Sequence, residues 1–89
     1  MYTPISPARM RQLVLHGFQQ QSTREITRSE IDERVRVEDG QAIAYTYRTH
    51  DLFAMWMIPI GLVQFYDNEG NMLQTIDLTA PVTARRRAA

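Results

Sequence analysis

His50 and Asp51 stand side by side, the one place where a histidine directly neighbours a carboxylate. A histidine that titrates near neutrality, steered by a carboxylate, can move protons for a nucleophile or a water. The same two residues also suit a turn, where aspartate accepts backbone N–H groups and histidine tolerates the geometry. The turn demands less of the surroundings and is the expectation carried forward. His16, the other histidine, falls beside an apolar stripe. His16, His50 and Asp51 have the residue types of a metal site but no metal-motif spacing, so no metal and no cofactor is expected. A second candidate is aromatic: Tyr45, Tyr47 and Trp56, with His50 nearby in sequence, could line a small-molecule or enzymatic pocket between helix and sheet. Such rings more often simply fill a core.

Composition removes whole classes of chemistry. Among the 89 residues there is no cysteine, hence no disulfide, thiolate metal site or cysteine nucleophile. Every basic residue is arginine, so neither a Schiff-base lysine nor a P-loop lysine is present. The glycines at 17, 40, 61 and 70 are scattered, and no GxSxG or HExxH occurs. No residue is therefore assigned a catalytic role, and a non-enzymatic protein is the reading preferred.

Formal charge sums to zero but is unevenly placed. Arg9, Arg11 and Arg24 make the first segment basic, residues 25–84 are acidic, and Arg85-Arg86-Arg87 closes the sequence. Arginine-rich ends could touch phosphates, with strong salt dependence. Without a basic domain or a reading helix, weak nucleic-acid binding stays a minor alternative. No basic stretch leads into an apolar run near Met1, and no apolar segment approaches the ~20 residues of a spanning helix, so a cytoplasmic protein without membrane contact is expected.

The elements that must carry these side chains can be read from periodicity. Ser6 caps a helix with Pro7 in its first turn, and Met10, Leu13, Val14, Gly17 and Phe18 form one apolar stripe. Gly17 on that stripe weakens the helix, and close approach of another element is the expected return. Charges then alternate at Arg28, Glu30, Asp32, Arg34, Arg36 and Glu38, the period of a strand with one wet side. A capping box, Thr27 with Glu30, offers a short helix instead; the alternation favours a strand over residues 26–38. Further strands are expected over 41–49, 52–58, 62–67 and 71–78. Glu38-Asp39-Gly40 and Asn68-Glu69-Gly70 are read as three-residue loops, pairing Val35 with Ile43, Glu33 with Tyr45, Ile31 with Tyr47, and Phe65 with Leu73.

The expected fold is α+β, one N-terminal helix packed on a five-stranded antiparallel meander, forming a single domain over 1–84 with a basic tail at 85–89. A chain of this size buries somewhat above ~60% of its unfolded surface. One face of the sheet takes the helix, including Ile31, Val35, Val37, Ile43, Tyr45, Tyr47, Trp56 and Leu73. The other should carry Phe53, Met55, Met57, Leu62, Tyr66, Met72, Ile76 and Leu78. One helix cannot shelter both faces, and each large side chain left wet forfeits about 1.5–3 kcal/mol. Contiguous apolar patches of that kind mark partner sites. The expected role is thus a small protein-interaction module of otherwise unknown function. It would associate with itself as a homodimer, or with another protein, through that half-face.

Overall fold

Ser6 opens the helix as its sequence implies: its hydroxyl accepts the Arg9 N–H at 3.2 Å, and Pro7 fills the first turn. The helix, α1, runs Pro7–Gln21 and buries Met10, Val14, Gly17 and Phe18. Gln19, on its exposed side, bends back to the connection that follows. Its amide donates to the Arg24 carbonyl and accepts the Ile26 N–H, both at 2.8 Å. This computed structural model describes residues 5–79, so the arginine tail 85–89 lies outside the described residues.

The sheet comprises β1 (Asp32–Glu38), β2 (Gln41–Arg48), β3 (Leu52–Met57), β4 (Leu62–Asp67) and β5 (Met72–Asp77), antiparallel and in chain order. One helix on a five-stranded meander makes the fold α+β, in agreement with the sequence pattern. The first strand starts later than its alternating charges suggest. Residues Arg28–Glu30 form a single 3-10 turn, and β1 begins at Asp32. This turn leaves Arg28, Ser29 and Glu30 in water, while Ile26 is buried and Ile31 packs on the core. Four polar residues between two apolar ones satisfy a turn as well as a strand.

Both outer hairpins depart from the expected register, and each departure is a bulge. Asp39 and Gly40 both take positive φ (51° and 75°), so the first loop is a tight two-residue turn with Glu38 opposite Gln41. Carried unbroken, that turn would set Arg34 against Tyr45. A bulge between Arg36 and Val37 absorbs one residue, and Val35 instead pairs with Tyr45 and Glu33 with Tyr47. It also moves Val37 to the side away from the helix, opposite Ala42 and 55% exposed. In β4–β5 the three-residue loop is as expected, with Gly70 at φ 86°, but the register shifts between Phe65 and Tyr66. Phe65 pairs with Gln74 rather than Leu73, and Val63 with Ile76.

The core lies between α1 and the middle of the sheet. Met10, Val14 and Phe18 meet Tyr47, Ala54, Trp56, Val63 and Phe65, all essentially without solvent contact. Phe18 sets its ring edge-on to Phe65 at 5.7 Å between centroids. Burial of each large side chain here contributes about 1.5–3 kcal/mol. Beside this core, Arg11 of α1 reaches across to Glu33 of β1, its Nε 3.0 Å from both carboxylate oxygens.

Candidate functional site

The aromatic pocket foreseen from Tyr45, Tyr47, Trp56 and His50 does not assemble as one site. Tyr45 stacks on Trp56 at 5.3 Å and on Tyr47 at 6.3 Å, and these rings fill space in the core. His50 sits elsewhere, exposed in the two-residue turn between Thr49 and Leu52. That turn is held by the Thr49 N–H on the Leu52 carbonyl (2.9 Å) and the Leu52 N–H on the Thr49 hydroxyl (3.1 Å). Asp51 faces Arg24 at 3.4 Å rather than orienting His50. Among the described residues, the Tyr47 hydroxyl and the Trp56 indole N–H are buried side-chain polar atoms without a hydrogen-bond partner. Burial, reinforced by the nearby Glu33 charge, pushes the Tyr47 phenol well above its ordinary range. Tyr47 is therefore a neutral phenol at any physiological pH and no general base.

The outer face of the sheet, away from α1, is built by strand alternation and can be written out from the register. Three rows cross the five strands: Asp32, Arg48, Phe53, Tyr66, Met72; then Arg34, Thr46, Met55, Gln64, Thr75; then Arg36, Ala44, Met57, Leu62, Asp77. The centre is apolar. Phe53 and Tyr66 lie 6.0 Å apart, Met55 and Met57 continue down β3, and Leu62 adjoins Met57. Met72 at the end of its row is 54% exposed. Among the described residues the only α-helix lies on the opposite face.

Ile76 and Leu78 do not belong to this face. The extra residue at Leu73 turns them toward the helix side, Ile76 opposite Val63, and both pack against the core. A β5 sequence with Ile76 and Leu78 two apart gains more by burying them beside Val63 than by keeping an unbroken ladder. The apolar surface accordingly contracts to Phe53, Met55, Met57, Leu62, Tyr66 and Met72. In its place the β5 margin presents Thr75 and Asp77.

Arg48, which strand alternation already puts on this face, extends over the Phe53 ring with its guanidinium carbon 4.8 Å from the centroid. The Thr49–Leu52 turn places it opposite Phe53. Charge is polarised across the face. Its β1–β2 side holds Arg34, Arg36 and Arg48, with Asp32 against Arg34 and Glu38 against Arg36; its β4–β5 side holds Asp77, whose carboxylate accepts the Thr79 N–H and hydroxyl. Arg34 contacts Asp32 at 3.0 Å, and Tyr66 donates its hydroxyl proton to Gln64 at 2.7 Å. A depression of about 460 Å³ opens at the Phe53–Tyr66 end, rimmed by Arg48, His50 and Asp51.

The basic residues near the N-terminus are not presented together. Arg11 is engaged by Glu33, and Arg24 by Glu30 and Asp51. Arg85, Arg86 and Arg87 lie outside the described residues. Among the described residues no three of histidine, aspartate and glutamate gather as metal ligands, and no helix is long and apolar enough to cross a membrane. No protein-family model, curated protein or solved structure matches the chain.

Proposed function

We propose that this protein works by binding protein, and that its partner is a second copy of itself docked on the outer face of the sheet. The observation that carries the reading is the run of large apolar side chains at the centre of a face that the helix does not cover. Five strands at ~4.8 Å spacing and six residues at ~3.4 Å give a face roughly 20 Å on each side. Patches of a few hundred Å² on that scale mark partner sites. A stable pair ordinarily buries ~800 Å² per partner, so association here is concentration-dependent rather than obligate. A second copy suits the face because the uncharged centre of Phe53, Met55 and Met57 can meet its own counterpart without bringing like charges together.

Light scattering over a concentration series tests the reading. The wild type should pass from monomer to dimer as concentration rises, while Met57→Glu stays monomeric with unchanged circular dichroism. A wild type that remains monomeric at millimolar concentration overturns the proposal.

A further inference from the structure

We infer that a short-chain monocarboxylate binds between α1 and β1, in a cavity lined by Arg11, Arg28, Ile31, Glu33 and Tyr47. The site lies on the helix side of the sheet and does not depend on the self-association reading. Its volume is about 130 Å³. At ~30 Å³ for each water in the liquid, such a space suits a ligand of roughly four to six heavy atoms.

Donors outnumber acceptors around this cavity. Arg11 spends its Nε on both oxygens of Glu33, at 3.0 Å each, and among the described residues its terminal amino groups make no hydrogen bond. Arg28 lacks an acid as well. The 3-10 turn that carries it sends Glu30 to Arg24, at 2.9 Å, and leaves the Arg28 guanidinium without a side-chain partner among the described residues. The third donor is the Tyr47 hydroxyl, buried and unpartnered. Glu33 and Arg11 both act on its ionisation, so the hydroxyl is the end of Tyr47 that meets the cavity those residues line. Glu33 is close enough for that hydroxyl to feel its charge, yet it does not accept the proton. A neutral phenol here has a proton to give and no taker.

The ligand's chemistry follows from that imbalance. Two guanidiniums and one carboxylate leave the lining with one positive charge in excess, which a monoanion cancels. A planar carboxylate matches the guanidinium fork and accepts a further hydrogen bond from a phenol. A dianion such as inorganic phosphate overshoots the charge and presses against Glu33. Ile31 and the Tyr47 ring give a short hydrocarbon chain an apolar wall, which an inorganic ion does not need. In the free protein the Tyr47 hydroxyl is withdrawn from water with nothing in exchange, a cost that a bound carboxylate recovers.

Propionate is the probe, titrated into the full chain and followed by NMR shifts of Arg11, Ile31 and Tyr47. Saturable shifts there, with a dissociation constant of about 1 mM, are expected for so few ligand atoms. Arg28→Gln should weaken binding about tenfold, whereas Arg34→Gln, at an exposed β1 arginine outside the cavity, should leave it unchanged. Tyr47→Phe should weaken binding severalfold. It should also leave the denaturation midpoint of the ligand-free protein unchanged or higher, because the lost hydroxyl had no partner there. Absence of saturable shifts overturns the inference, as does binding that either Arg28→Gln or Tyr47→Phe leaves at wild-type strength. Equal weakening by Arg34→Gln reduces the effect to diffuse surface charge and overturns the site. Phosphate bound as tightly as propionate overturns the carboxylate class. A lower midpoint in Tyr47→Phe means the hydroxyl is already satisfied within the protein, and the inference falls.

Discussion

The ring of Phe65 fills the space that a β-carbon on Gly17 would have to occupy. Phe65 cannot swing aside, since it is fully buried with Phe18 edge-on to it. Alanine at position 17 gains about 1 kcal/mol in helix propensity but meets an overpacking cost of about 1–3 kcal/mol. Gly17→Ala should therefore lower the denaturation midpoint. Adding Phe65→Leu should recover part of the loss, so that a double-mutant cycle gives less than the sum of the single changes.

The bulge at Leu73 predicts an asymmetry between neighbours. Ile76 packs toward the core and Thr75 points away from it. Ile76→Ala should cost about 2 kcal/mol, at the low end for a buried aliphatic because the side chain is only half-buried. Thr75→Ala should stay within about 0.5 kcal/mol. Chemical denaturation of the two variants checks this, and the reverse ranking would restore the unbulged register.

Gln19 behaves as a piece of backbone, taking the Ile26 N–H and supplying an N–H to Arg24. Ile26 is buried, so loss of the acceptor strands an amide away from water. Gln19→Ala should destabilise by about 1–3 kcal/mol. Gln19→Glu, which keeps the acceptor and loses the donor, should fall between alanine and wild type. Amide hydrogen exchange at Ile26 reports the same order.

Asp67 closes the last hairpin by accepting the backbone N–H and side-chain amide of Asn71 and the Glu69 N–H. These bonds, the Asn71 backbone N–H first, hold its carboxyl below the ordinary 3.8. The folded value lies under the unfolded one, so the contribution is complete above the unfolded value and is lost as pH falls through the folded one. Wild type should lose stability relative to Asp67→Asn below about pH 4, and the two curves should run parallel above it. Thermal melts from pH 2 to 7 decide the matter.

What could be read from the residues, and what could not, separates along one line. Ser6-Pro7, the apolar stripe of α1 and the alternation through β2 to β4 each have one satisfactory reading, and they specify the helix, the strands and their order. The register at both ends did not, because a bulge exchanges a hydrogen-bonded ladder for one misplaced residue and leaves no mark on composition. Asp39-Gly40 was readable as a turn, yet its two-residue form conflicted with burying Tyr45 until the bulge at Arg36–Val37 reconciled them. Leu73 did the same at the other edge and moved Ile76 indoors. The outer face was legible at Phe53, Met55 and Met57, in the middle strand where no bulge intervenes. Its β5 flank of Thr75 and Asp77 was not, because the bulge at Leu73 brings them there.

A sheet in which each strand meets only its chain neighbours can assemble hairpin by hairpin, with short loops to close at each step. The helix has no such local partner. It emerges from a ribosome ahead of everything it rests on, and its seat of Ala54, Val63 and Phe65 is complete only once β4 has formed. During that interval the stripe of Met10, Val14 and Phe18 is wet, and it is there that a chaperone, or premature aggregation, would meet the nascent polypeptide.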